Sequence, residues 1–189
     1  MPSPWRYDLL VWFATGGREG AFRQKELDLA QLAAGETVLD VGCGTGTLAI
    51  AAARRGGAVH ALDPSAELLA RARKKARRAQ ANVTFELGSG EALPHPDASF
   101  DVVLSSLVLH HLSHDERRAS VRELGRAVKP SGRVLIVDTG AGAMHGGGFD
   151  LAGFAQRLAD FSLRVVESGP IDAHLRGVGQ LHYVLATAA

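Results

Sequence analysis

Cysteine occurs once in these 189 residues, at Cys43, so no intrachain disulfide framework can form, and the chain suits a reducing compartment. No apolar run approaches the roughly 20 residues that span a bilayer. A secretory leader is not expected either, because Trp5, Arg6 and Asp8 stand where a basic start and an unbroken apolar core would be needed. An excess of one charge is also missing. The 21 Lys and Arg face 20 Asp and Glu, and a net charge of +1 gives no argument from global electrostatics for a nucleic-acid or membrane partner. The eight histidines are scattered without Cys/His spacing, so the expectation is that no metal is bound. These absences leave a cytoplasmic globular protein. With 46% apolar and 22% charged residues, its length fits one domain over residues 1–189, with a core that needs no disulfide or structural metal.

What is present alternates between two periodicities. Short apolar stretches bounded by Gly, Pro or Asp predict strands at Thr37–Val41, Ala58–Leu62, Val83–Glu86, Asp101–Ser105 and Arg133–Asp138. Helices are predicted at Thr47–Arg55, Ser65–Ala79, His114–Val128 and Asp150–Asp160. Ser65 follows Asp63 and Pro64 and precedes Leu68, Leu69, Ala72 and Ala76 at helical spacing. The basic run Arg71, Arg73, Lys74, Lys75, Arg77 and Arg78 falls on the solvent side of that helix. Such alternation predicts an α/β fold in three layers, a doubly wound parallel sheet covered on both faces over residues 36–189. Leu163–Glu167 and Leu181–Thr187 have only a loop between them and are expected to pair antiparallel. Gly140–Gly148 reads as a flexible connector.

The chemistry concentrates in Val38-Leu39-Asp40-Val41-Gly42-Cys43-Gly44-Thr45-Gly46, an apolar strand, three alternate glycines and then a helix. This arrangement brings a ligand's polar groups to a helix N-terminus, and a Cβ would block the turn or hold the ligand away. The spacing is G-x-G-x-G, with Thr47 where the dinucleotide fingerprint wants its third glycine. Asp63 follows the second strand about 20 residues on, where an acid accepts bonds from ribose hydroxyls. Capping the next helix is the alternative role for Asp63.

These residues resemble motif I of the class I S-adenosylmethionine-dependent methyltransferases, and the likeness runs from about Tyr7 to Thr187. The resemblance implies a Rossmann-like sheet of seven strands, order 3-2-1-4-5-7-6, with the last strand antiparallel. It implies S-adenosyl-L-methionine as cofactor and S-adenosyl-L-homocysteine as product. Asp40, Gly42, Cys43, Gly44 and Gly46 would border the methionine part, with Cys43 simply a small residue there. Asp63 and Pro64 would meet the ribose. Ser89, Gly90 and Glu91 would border the adenine, with Ser89 where the family commonly has an Asp, so that bond loses its charge assistance. Ser105 and Ser106 would line the methionine side after strand four. His110 and His111 resemble a pair common in this subgroup, and His110 is the candidate general base, with helix packing as the plainer role.

Residues 1–30 would form a helical lid, like the N-terminal helices of the related quinone C-methyltransferases, whose Tyr-Asp this chain shares at Tyr7-Asp8. Tyr7 and Trp12 would then touch the acceptor, and Arg18 or Arg23 would reach the cofactor carboxylate. The expected protein is a methyltransferase for a small-molecule acceptor, working as a monomer or homodimer. The alternatives are an NAD-type oxidoreductase on the same kind of sheet, or a silent adenosyl-ligand binder.

Overall fold

The computed structural model describes residues 19–139, 149–175 and 179–189. Its centre is a seven-stranded sheet: β1 (Thr37–Val41), β2 (Ala58–Asp63), β3 (Val83–Leu87), β4 (Phe100–Ser106), β5 (Val128–Thr139), β6 (Leu163–Leu175) and β7 (Gly179–Ala188). The order across the sheet is β3-β2-β1-β4-β5-β7-β6. The first five strands run parallel, and β7 enters antiparallel between β5 and β6, as the sequence predicts. Helices α1 (Glu19–Leu29), α2 (Thr47–Arg54), α3 (Ala66–Arg78), α4 (His114–Ala127) and α5 (Leu151–Ala155) cover the two faces.

Alternation along the strands supplies a core on each side. Leu39, Val41, Val103, Val134, Ile136 and Val184 pack with Val121 and Leu124 of α4. Val38, Val102, Leu104, Leu135 and Val137 pack on the opposite face with Phe22 and Leu27 of α1 and Leu48, Ala49 and Ala52 of α2. Two helices start where their capping residues require. The Ser65 hydroxyl accepts the Leu68 amide of α3, and Ser113 forms a capping box with Glu116 at the head of α4.

Three elements differ from expectation, the first being β6, which continues past the expected end at Glu167 to Leu175. β5 begins at Val128, directly after α4, because Phe100 pairs with Val128 and Val102 with Arg133. The intervening Lys129–Gly132 bulges from the ladder, and at Gly132 a Cβ would stand 2.7 Å from the Asp101 carbonyl oxygen. The predicted helix Asp150–Asp160 divides into α5 and a 3-10 turn, Leu158–Phe161. Gly153 weakens the helix, and the tighter winding brings Leu158 and Phe161 into the core beside Leu151 and Ala155. Tyr7, Trp12 and Arg18, the lid assigned to the first residues, and the Gly140–Gly148 connector lie outside the described residues.

Candidate functional site

In an open parallel sheet the crevice opens where strand order reverses, here between the carboxyl ends of β1 and β4. Asp40 pairs in register with Leu104 and Val41 with Ser105, so these strand ends stand side by side. The chain leaves β1 through Gly42, Gly44 and Gly46, all at positive φ (74°, 55° and 77°). At Gly42 a Cβ would lie 2.5 Å from Val108 Cγ2, so glycine is required by space as well as by backbone conformation. The turn ends on the head of α2, whose N-cap Gly46 offers no side chain.

Asp63, the last residue of β2, ties the loop down. Its Oδ2 accepts the Gly44 amide at 2.8 Å, and its Oδ1 accepts the Ser65 amide at 2.9 Å. The cap of α3 is thus Ser65, with Asp63 holding that residue's amide, and a carboxylate with one amide on each oxygen keeps lone pairs for further donors. Lys75 of α3 donates to the hydroxyls of Thr45 (2.9 Å) and Thr47 (2.7 Å), a support for the loop from within the basic run.

Asp40 is buried, and its Oδ2 has no hydrogen-bond partner. Burial raises its pKa to about 7, against the pull of Arg23 and of a backbone bond from Ala49, and with Glu26 and Asp63 adding to the rise. Arg23 donates to Glu26 Oε2 at 2.8 Å and to the Ser106 hydroxyl at 2.9 Å, and Ser106 donates to Glu26 Oε1. The Arg23 guanidinium is therefore held by α1 and β4. Glu26, fully buried, is a site residue that sequence reasoning missed. The hydroxyl of buried Ser105 is also unpartnered. Burial, with Asp40 and Asp63 nearby, pushes the Cys43 thiol far up, so it stays protonated and unreactive.

Ser89, Gly90 and Glu91 follow β3 in a half-buried loop. Gly90 is tight against α4, where a Cβ would stand 2.6 Å from the Ser120 hydroxyl. Pro64 is exposed at the mouth beyond β2.

His110 sits in a 3-10 turn, Leu109–His111, after β4. Its Nδ1–H donates to Asp138 Oδ1 at 2.7 Å, and its backbone amide reaches Asp138 Oδ2 at 3.3 Å. Asp138, fully buried near the end of β5, also accepts the Thr139 amide. Arg117 of α4 fixes the turn by donating to the carbonyls of Leu109 and Leu112. Sequence reading placed Asp138 in a strand but missed its pairing, although an acid at a strand's carboxyl end was the available signal. The neighbouring Leu107 is held at φ 60°, a strained conformation for a branched side chain.

Comparison with known proteins agrees with this geometry. A family model described as "Methyltransferase domain" matches residues 38–132. A demethylmenaquinone methyltransferase of Corynebacterium efficiens is 32% identical over 165 residues, 87% of this chain and 68% of that protein. One from Tropheryma whipplei is 36% identical over 121 residues, 64% of this chain and 49% of that protein, so the chain matches only about half the length of that relative. In structure, a SAM-dependent methyltransferase from Aquifex aeolicus superposes with a TM-score of 0.77 at 22% identity, over 96% of this chain and 98% of the other. A methyltransferase model that spans half the chain, with a relative 32% identical over 68% of its own length, decides the family: the chain belongs to the methyltransferase domain family.

Proposed function

We propose that this protein is a cytoplasmic S-adenosylmethionine-dependent methyltransferase for a small-molecule acceptor, acting as a monomer or homodimer. The observation that carries it is the buried Asp40 carboxylate, whose Oδ2 has no partner in the protein, set beneath a glycine turn where a Cβ at Gly42 has no room. A cationic amino group fits that oxygen, and a polar chain fits a backbone with no side chains in its way. Among the described residues no helix is long and apolar enough to cross a membrane.

In this reading Asp40 holds the methionine amino group, with the unpartnered Ser105 hydroxyl near the same strand ends. Gly42, Gly44 and Gly46 admit the ligand close to the backbone, while Asp63, already fixed by two amides, receives the ribose hydroxyls. Ser89 and Glu91 border the adenine. When bound, S-adenosylmethionine supplies a methyl group on a sulfonium, a leaving group that is already activated. The protein's share is then orientation and exclusion of water, worth roughly 7–11 kcal/mol in well-aligned reactions.

His110 accepts the acceptor's proton at Nε2, because Asp138 holds the proton on Nδ1 and stabilises the imidazolium that results. An apolar aromatic acceptor of the quinone kind suits the aromatic N-terminal segment and the activity named for the two relatives.

A thermal-shift titration with S-adenosylmethionine, S-adenosylhomocysteine and NAD side by side tests the reading. A ligand at 100 times its Kd adds about 2.7 kcal/mol, a shift of roughly 5–10 °C for a domain of this size. A shift with both adenosyl ligands and none with NAD is expected. Stabilisation by NAD alone overturns the assignment.

A further inference from the structure

Away from the crevice, three side chains that are distant in sequence meet at the β2–β3 edge of the sheet. His60 Nδ1 lies 3.0 Å from Glu86 Oε1, and His95 Nε2 lies 3.7 Å from the same oxygen. Together the three donor atoms fall within 4.8 Å of one another. The parallel register places them there: His60 pairs with Thr84 and Leu62 with Glu86, so His60 and Glu86 share one face of the sheet. His95 arrives from the loop after β3. Phe100 packs edge-on against both imidazoles, with centroids 5.7 and 5.0 Å away, and holds the ring planes.

One atom in this cluster is out of balance. The His95 side chain is nine-tenths buried, and its Nε2 is sealed from solvent without a hydrogen-bond partner. That nitrogen is aimed at a carboxylate too distant to bond. Buried polar atoms are normally satisfied, so an orphan pointing into a His–Glu–His cluster marks a missing partner. Burial also draws the His95 pKa below the ordinary imidazole value, favouring the neutral ring.

We propose that His60 Nδ1, Glu86 Oε1 and His95 Nε2 form a binding site for a divalent transition metal of the zinc class, with water as the fourth ligand. Bonds of about 2.0–2.1 Å in a tetrahedron separate neighbouring ligand atoms by roughly 3.3 Å. The observed 3.0 and 3.7 Å straddle that spacing, and with the three atoms within 4.8 Å of one another, rotation of the His side chains would close the triangle on an ion. Two imidazoles and one carboxylate suit zinc or cobalt rather than magnesium or calcium, which prefer all-oxygen shells.

The site works as a clasp. Glu86 stands three residues before Ser89 and His95 four residues after Glu91, so one ion closes both ends of the loop assigned to the adenine. It also fastens edge strand β3, where Leu87 is 64% exposed, to β2. Neither cofactor nor acceptor is needed to fill it, so its test is independent of methyl transfer.

The experiment titrates untagged, metal-stripped protein with Co²⁺ in the absence of any adenosyl ligand and then adds Zn²⁺. Visible d–d absorption reaching a plateau at one equivalent, erased by Zn²⁺, is expected. A Zn²⁺-dependent rise in Tm of roughly 5–10 °C at about 100 times Kd should accompany it. The variants are H60A, on a half-exposed side chain, and H95F, which keeps an aromatic ring against Phe100. Each loses the spectrum while keeping the native far-UV circular dichroism, and H114A, at an exposed histidine elsewhere, retains it. No spectrum at one equivalent of Co²⁺ overturns the proposal. So does an undiminished spectrum in H60A, which settles the matter even where H95F fails to fold.

Discussion

His110 Nδ1 and Asp138 Oδ1 lie 2.7 Å apart although 28 residues separate them in the chain. The turn after β4 supplies the imidazole and β5 supplies the carboxylate, and the two strands are neighbours in the sheet. Asp138 spends both oxygens on fixed donors, His110 and the Thr139 amide, so the ring has one tautomer and one orientation.

Replacing His110 by Gln, or Asp138 by Asn, should lower kcat by about 10²- to 10⁴-fold, the usual worth of a positioned acid–base group. S-adenosylhomocysteine affinity, read by calorimetry, should stay within a factor of two to three. A loss of affinity equal to the loss of kcat would move both residues from proton transfer to ligand binding.

Asp40 carries a pH dependence whose sign can be worked out. Its folded pKa is about 7, raised from 3.8, so the folded, ligand-free protein holds the proton more tightly than the unfolded chain does. Stability of that form therefore falls as pH rises through the window between those values. A cationic ligand group reverses the preference, and its binding releases the proton below pH 7. Adenosyl-ligand affinity should thus weaken by up to about tenfold per pH unit on going down from 7. Asp40→Asn should flatten that slope and bind weakly throughout, as titrations across pH 5.5–8.5 would reveal.

Gly42→Ala should destabilise the fold itself. A side chain at φ 74° costs roughly 1–2 kcal/mol, and a Cβ 2.5 Å from Val108 Cγ2 adds overpacking of about 1–3 kcal/mol. Each kcal/mol lowers Tm by roughly 2–4 °C in a protein of this size. The further change Val108→Ala should recover the overpacking part and leave the backbone part.

At the opposite end of the sheet, hydrogen bonds from Thr37 and Lys129 hold Asp101 down to a pKa of about 2. Because that value is depressed, the contribution is present above the ordinary carboxylate range and is lost as pH falls through 4 towards 2. Asp101→Asn should flatten the acid limb of a Tm-against-pH curve between pH 4 and 2. An unchanged acid limb would remove Asp101 from the account.

β1 was legible to the residue, because an apolar β-branched run stops at three glycines and nothing else competes for it. The order of the sheet came from resemblance, since strand periodicity says which faces are apolar but not which strands adjoin. Asp150–Asp160 misled because apolar spacing alone cannot separate an α-helix from a helix that tightens into 3-10 winding. Glu26 and Asp138 escaped for a different reason. A lone acid in a sequence reads as solvated, and each is buried by partners, Arg23 with Ser106 and His110, that only tertiary packing delivers.

Strand alternation also divides responsibility within the crevice. Asp40 and Ser106 share their strand faces with Val38 and Leu104, which rest on the α1 and α2 layer. Ser105 and Asp138 share theirs with Val103 and Ile136, which rest on α4. The amino-group site proposed at Asp40 and the base proposed at His110 with Asp138 are therefore underwritten by two separate cores. A packing fault beneath α1 or α2 should surface as weakened ligand affinity, whereas one beneath α4 should disturb the His110–Asp138 pair and, through Ser105 and Gly90, ligand affinity as well.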